Sequence, residues 1–436
     1  MQTQVARLRR VLSLLEPAVP RKTSLPVLTH VRLGEGKAMA TDLEVAIAVD
    51  LPEATDGVCL LPFALAENFL RFTPGSLDLG VVYREGRAHL LASGSQAAFP
   101  TNEPDEYPPL PTVGEGALTA VVDGDDLVKA LAAVAEYTAT ETSRPVLTAV
   151  CLTLAEPMEA AGADGFRLAV HTLRSGFPGG DGVQALVPSK AVKVLERLWK
   201  LAPSGSETDV DLSIAELVVS RRPVRLGYDA KNSLLQMGFG EVALMIKLVE
   251  GTFTNYKVLV PTTYTSRVTF HSQELLRAVH QVEAVAREGS GIVRLSWENG
   301  RLAVAAKAED AGDVEVALGA TVEAPGRIAF NAGYLLAYLK GKEGPMDLST
   351  SDPTAPGVFT HQGTKVVIMP MFVSGEPQKA PEAKAPEGGE TEPGPEPVEG
   401  APAEEAPPEA AAQEKAPAKD VKPKRKARRR KKQDPD

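Results

Sequence analysis

Cysteine is nearly absent. The 436 residues hold two, Cys59 and Cys151. Two isolated thiols make no disulfide framework, and neither lies in a Cys-x-x-Cys or other metal-ligand spacing. Such scarcity fits a reducing compartment, so a cytoplasmic location is expected. No apolar run reaches the roughly 18 residues that a membrane helix needs, so no membrane contact is expected. The six histidines are scattered; only His271 and His280 share an expected element, on different turns. There is no GxxxxGK[ST] loop, no GxSxG, no HExxH and no kinase-type set, so the corresponding ATPase, hydrolase, metalloprotease and kinase chemistries have no carrier. No cofactor or metal is expected. The N-terminal stretch interleaves Arg7, Arg9 and Arg10 with apolar residues and lacks a small-residue cleavage site. It reads as an amphipathic helix rather than a signal peptide.

Charge is abundant but segregated. The net charge of −10 argues against a nucleic-acid partner only if it is evenly spread. From Ser374 to Asp436 there is no Leu, Ile, Met or aromatic residue, and there are twelve prolines. That composition buries too little apolar surface to offset chain entropy, so disorder is expected. Residues 374–420 carry twelve acids and four lysines, and Lys422–Lys432 then carries nine cations in eleven residues. The first 373 residues keep 34 Lys+Arg against 43 Asp+Glu, a net of −9.

Those 373 residues form a weak threefold repeat. RKTSLPVLTHVRL followed by MATDLEVAIAV returns as SRPVLTAVCLTL followed by AGADGFRLAVHTL, with Asp42 and Asp164 at equivalent turns. Connectors Glu106–Pro111 and Asn255–Pro261 also correspond. The third unit, IVRLSWENGRLAVAAKAED to KVVIMPMFV, lacks the Asp-containing turn. A period near 120 residues means similar domains rather than a solenoid, expected at 1–116, 117–250 and 251–373, with the tail at 374–436. Helices are expected at Val5–Glu16, Pro62–Phe72, Asp125–Tyr137, Ser189–Leu201, Ser272–Arg287 and Ala332–Lys340, with caps at Asp125, Ser189, Ser272 and Asn331. Alternating β-branched stretches lie between them, among them Val81–Leu90, Val210–Val219 and Arg294–Ala305. Two helices against antiparallel sheet, three times over, is an α+β class.

The helix at 189–201 places Lys190, Lys193, Arg197 and Lys200 on one face by their spacing of 3, 4 and 3, opposite Val192, Leu195 and Leu198. Glu196 interrupts the stripe. Arg7 and Arg10 sit similarly on the first helix, Arg21 and Lys22 precede Leu25, and Lys340 closes the last helix. For an anonymous chain the ordinary reading is a solvated charged face. Asp42, Glu44 and Asp164 are candidate metal carboxylates, but an Asp in such a turn more simply bonds its own backbone.

Leu25-Pro-Val-Leu28, Ala40-Thr-Asp-Leu-Glu-Val45, Ala163-Asp-Gly-Phe-Arg-Leu-Ala169, Gly251-Thr-Phe-Thr-Asn-Tyr256 and Val367-Ile-Met-Pro-Met371 together resemble the bacterial DNA sliding clamps, across residues 1–373. The resemblance implies a non-enzymatic processivity factor: a head-to-tail homodimeric ring of six similar domains around double-stranded DNA, helices inside and sheet outside. It places Lys22 and Lys190 among DNA-contacting residues. Sequence-independent, salt-sensitive phosphate contacts suit a protein that slides. It also implies one hydrophobic cleft that takes short peptides of the DNA polymerase and clamp loader subunits. The matching positions are Leu147, Ala163, Gly165, Phe166, Arg167 and Leu168, then Thr254, Val258, Leu259, Val367, Met369, Pro370 and Met371. Val366 and Ile368 are expected in the core. Phe166 stands where the family usually has His, Thr254 where Pro is common, Val258 where a basic residue is common, and Phe372 and Val373 where the family ends in Arg and an aliphatic residue. Phe99 is a candidate for the subunit interface. The basic tail reads either as an added grip on DNA or as a solubilising extension. Two further readings stay open: a DNA-metabolism enzyme using the three carboxylates, and a scaffold protein that does not touch DNA.

Overall fold

The computed structural model describes residues 1–55, 57–202 and 222–372. The tail and the stretch 210–219 lie outside these residues. Six helices form close to their sequence limits: α1 Val5–Leu15, α2 Phe63–Arg71, α3 Gly124–Ala135, α4 Ser189–Leu201, α5 Ser272–Glu288 and α6 Ala332–Leu339. In α1, Val5, Leu8, Val11, Leu12 and Leu15 recur at three- and four-residue intervals and all are buried. That is the face a helix must hide when it covers a sheet.

The caps differ from expectation. Only Asn331 caps as read, accepting from the backbone N–H of Gly333 and Tyr334. Helix α3 is capped by Asp123, which accepts from Asp126 N–H at 3.1 Å. Asp125 instead accepts the Trp199 indole N–H at 2.9 Å. Ser189 and Ser272 come one residue too late, because the extended residues before those helices are Pro188 and His271. The stretches 81–90 and 294–305 each fold as a hairpin rather than one strand. Their turns, Glu85-Gly86 and Asn299-Gly300, have positive φ at both residues, as tight two-residue hairpin turns require.

Among the described residues each repeat runs strand, helix, four strands, helix, three strands, and the third adds Thr321–Ala324. The strands sort into two antiparallel four-stranded motifs per repeat. In the first repeat one motif is ordered Cys59–Pro62, His30–Gly34, Lys37–Thr41, Val45–Asp50. The other is Gln2–Gln4, Asp78–Arg84, Arg87–Ala92, Ser95–Pro100. Motifs then join between repeats. Val45–Asp50 pairs antiparallel with Val242–Lys247, making one eight-stranded sheet across the first junction. Arg167–Thr172 pairs likewise with Thr364–Ile368 inside a nine-stranded sheet across the second. Two strands in the same positions, Gly312–Gly319 of the third repeat and Ser95–Pro100 of the first, have no outer neighbour among the described residues. The main core lies between helices and sheets and includes Val366 and Ile368, as expected. Both thiols are buried, and burial pushes each up to about 11, which leaves them unreactive near neutral pH.

His171 lies on the second junction and faces Thr364 in register, its Nδ1 2.8 Å from Thr364 Oγ1. Burial lowers its pKa, opposed by Asp126; burial also lowers that of His30. The folded chain therefore takes these protons less readily than the unfolded chain does. The resulting stability is present above about pH 6.5 and lost as pH falls through that value toward the folded pKa. The midpoint of thermal unfolding should drop between about pH 7 and about pH 5, and less so in His171→Gln. Equal drops in both proteins would remove His171 from the account.

Candidate functional site

Helix α4 buries Ala191, Val192, Val194, Leu195, Leu198 and Trp199. Lys190, Lys193, Arg197 and Lys200 are exposed along its other side. Arg10, Arg21, Lys22 and Lys340 are exposed, and Arg7 is half-buried. These cations fall into two groups. Glu241 accepts from Arg7 at 2.6 Å and from Arg10 at 2.7 Å. Lys190 Nζ lies 2.7 Å from Asp42 Oδ2 and 3.0 Å from Glu44 Oε2, and Arg197 pairs with Glu16. Burial works against the Lys190 charge, but Asp42 and Glu44 outweigh it and raise its pKa. Arg21, Lys22, Lys193, Lys200 and Lys340 have no ion-pair partner among the described residues. Spacing along the sequence could not reveal the pairing, because each partner comes from a different element.

The Asp-containing turns do what turn-formers do. Asp42 Oδ1 accepts from the backbone N–H of Glu44 and Val45 at 3.1 and 2.8 Å. Asp164 Oδ1 accepts from Phe166 and Arg167 N–H at 2.9 and 2.7 Å. The other oxygen of each carboxylate holds a cation, Lys190 for Asp42 and Arg167 for Asp164. With their oxygens so engaged, these carboxylates give the metal-enzyme reading no support.

Around the second junction the cleft residues divide into floor and rim. Leu147, Leu168 and Val367 are buried in a small separate core with Phe253, Tyr256 and Val358. The rim comes from three segments: the turn 163–168, the connector 253–260, and the end of strand Thr364–Ile368. Eleven large apolar side chains are exposed among the described residues, and four of them sit on this rim: Phe166, Val258, Leu259 and Met369. So concentrated an exposed apolar patch is of the kind found at interaction sites. Gly165 takes φ +94 at the apex of the turn. Ala163 is half-buried, Thr254 is exposed, and Pro370 and Met371 are partly covered. Met371 N–H donates to Ala329 O at 2.8 Å.

One rim residue escaped the sequence reading. Tyr334, in the first turn of α6, stacks on Phe166 with ring centroids 5.8 Å apart. The Arg167 guanidinium lies 5.0 Å from the Tyr334 ring centre and 5.4 Å from that of Tyr137. This aromatic clamp gives Phe166 a partner. The only cue in the sequence was the place of Tyr334, three residues after the Asn331 cap.

Floor and rim should respond differently to truncation. Leu168→Ala should cost about 2–5 kcal/mol, as for other buried leucines. Met369→Ala should stay within about 0.5 kcal/mol. Denaturant titration separates them, and a comparably large loss in Met369→Ala would move that residue from the rim to the core.

The comparisons with known proteins agree with this geometry. The family model described as DNA polymerase III beta subunit, central domain, matches residues 121–255, and the one described as its C-terminal domain matches residues 257–371. A beta sliding clamp of Synechococcus elongatus is 26% identical over 366 residues, covering 81% of this chain and 92% of the relative. That of Chlamydia muridarum is 27% identical over 374 residues, covering 82% and 94%. Among solved structures, the DNA polymerase III subunit beta of Pseudomonas aeruginosa superposes with a TM-score of 0.73 at 23% identity, covering 86% of this chain and all of that one. A sliding clamp from the same organism bound to griselimycin gives 0.72 at 23% identity, covering 86% and 99%.

Proposed function

Because this chain belongs to the bacterial DNA polymerase III beta subunit family, the sliding clamps, we propose that two copies close head to tail into a ring. On this reading the ring encircles duplex DNA and tethers the DNA polymerase and clamp loader subunits through the cleft of the second junction, with no active site of its own. The domains of each copy would be 1–116, 117–250 and 251–373. The observation that carries the reading is the pair of unpartnered strands. Every junction inside the chain is a continuous antiparallel sheet, and Gly312–Gly319 and Ser95–Pro100 are the two halves of one more such junction. An open edge of this kind is a template for pairing, and a heterologous contact that repeats becomes a ring if its rotation closes. Along these strands Val314, Val316, Leu318, Ala97 and Phe99 face the core side, half-buried. They would complete an apolar layer with those of a second copy.

The cations of α1 and α4 would then meet phosphate. Exposed ion pairs contribute only about 0–1 kcal/mol each, so phosphate can replace Glu241, Asp42, Glu44 and Glu16 as their partner at little cost. The five unpaired cations would contribute from the outset. Met369 and the exposed aliphatic rim suit one cleft to several peptides.

Two measurements test this reading. Val316→Asp with Leu318→Asp should turn a sedimenting dimer into a folded monomer; a dimer that survives the pair of changes would displace the proposed edge. Affinity for duplex DNA should rise in Glu241→Gln, which removes the ion pair of Arg10 and leaves Arg7 only Glu53 at 4.0 Å as a carboxylate partner, and should fall steeply with salt. Unchanged affinity in Glu241→Gln would remove these two arginines from the DNA-contacting set.

A further inference from the structure

The cleft has a counterpart at the first junction, built from the same parts. Pro26–Thr29 and Pro145–Thr148 are both 3-10 turns of sequence PVLT ahead of corresponding strands. Val45 faces Ile246 in register as Arg167 faces Ile368. Lys247 N–H donates to Glu44 O at 2.9 Å, as Met369 N–H donates to Phe166 O at 3.0 Å. Position by position, Leu43 therefore replaces Gly165, Glu44 replaces Phe166, and Lys247 replaces Met369. Beside them is a pocket of about 400 Å³, with Val45, Ala46 and Leu234 among its lining, walled by Leu43 and Pro111, with Lys247 on its border. That volume falls within the range of ordinary ligand pockets.

Two features set this pocket apart from an idle remnant. Leu43 occupies φ +76 with its side chain 53% exposed. A left-handed backbone is strained for leucine, and glycine fills the equivalent place in the second repeat. Holding an apolar side chain outward against that strain is a common mark of a binding site. The charges are also unequal. Glu44 is engaged by Lys190 at 3.0 Å, whereas Lys247 is exposed and has no ion-pair partner among the described residues. The pocket thus offers an apolar wall beside one uncompensated cation.

We propose that the first junction is a second peptide-binding site, selective for a short partner segment whose apolar anchor is flanked by a carboxylate. The anchor would pack against Leu43, Ala46 and Leu234, and the carboxylate would meet Lys247. The inference rests on the reading of the second junction as a peptide cleft, whose turn and strand pairing it duplicates. It differs in what it presents: the cleft offers Met369 and Phe166 where the first junction offers Lys247 and Glu44. The C-terminal segment of the chain itself is a poor occupant, since residues 374–436 contain no Leu, Ile, Met or aromatic anchor.

Calorimetric titration of the full chain with the acetylated hexapeptide Gln-Leu-Asp-Leu-Phe-Asp, and with its counterpart carrying lysine for both aspartates, tests the proposal. The acidic probe should fill two sites per chain and the lysine probe one. In Met369→Glu, which closes the cleft, the acidic probe should keep one site, and adding Lys247→Glu should weaken that site about tenfold. Leu43→Gly relieves the strained backbone, so it should fold normally, yet it should weaken the same site. If Met369→Glu abolishes all binding, the second site is overturned while the cleft stands. Residual binding indifferent to Lys247→Glu and Leu43→Gly overturns it as well. An unmodified chain that binds neither probe sinks both readings.

Discussion

Backbone pairing across the repeats is the constraint on which the remaining structure rests. Val45–Asp50 against Val242–Lys247, and Arg167–Thr172 against Thr364–Ile368, each run five rungs in unbroken register. A slip of one residue would turn every inward side chain of a strand to solvent. The Asp-containing turns lie where such a slip would begin. The Asp42 and Asp164 carboxylates fix the local backbone, and the N–H groups of Lys247 and Met369 extend the ladder onto those turns. Because the ladder is made of main-chain groups, it survives wide divergence of side chains. A chain about a quarter identical to its relatives can therefore keep their architecture.

The same junctions organise the charge. An acidic body that is to hold DNA must place its cations where phosphate can reach them, without letting them repel one another while empty. On the proposed reading, Glu241 between Arg7 and Arg10, and Asp42 with Glu44 around Lys190, would serve that need. Each pair has at least one partly exposed member, Arg10, Lys190 and Glu44 most of all, so their contribution to stability is modest. Exchanging a carboxylate for a phosphate would then be nearly neutral in free energy, giving contact without the deep binding that would stop sliding. The net −9 of the body is compatible with this arrangement because the position of each cation, rather than the sum, sets the local field.

What could be read from the sequence follows the range of the interactions. Helices and their buried faces are local properties, and the period of Leu8, Val11 and Leu15 or of Val192, Leu195 and Leu198 displayed them. The Asp turns were legible for the same reason, since an Asp bonds its own backbone two and three residues on. Hairpins at Glu85-Gly86 and Asn299-Gly300 were run together, although the turn residues were in view. The caps at Ser189 and Ser272 failed because each serine is already the first helical residue, so the cap position falls on Pro188 and His271, whose side chains make no cap bond. Long-range facts were hidden. Glu241 lies 234 residues from Arg7, and neither the stack of Tyr334 on Phe166 nor the burial of Leu147, Leu168 and Val367 beneath the rim has a periodic signature. The cleft positions came from resemblance, which names positions but does not separate floor from rim.

The two internal junctions share a backbone and differ in what closes them. At the first, Lys190 from the start of α4 reaches two carboxylates of the preceding repeat. At the second, Tyr334 from the start of α6 meets Phe166 and Arg167. Ion pairs on an exposed surface weaken as salt rises, whereas an aromatic contact over an apolar floor does not. The first junction is thus closed by the kind of bond that phosphate can compete for, and the second by a surface that an apolar peptide would extend. One duplicated frame has diverged into a charged junction and an apolar one. The divergence lies in the few side chains that the backbone ladder leaves free: Leu43, Glu44 and Lys247 on one side, Gly165, Phe166 and Met369 on the other.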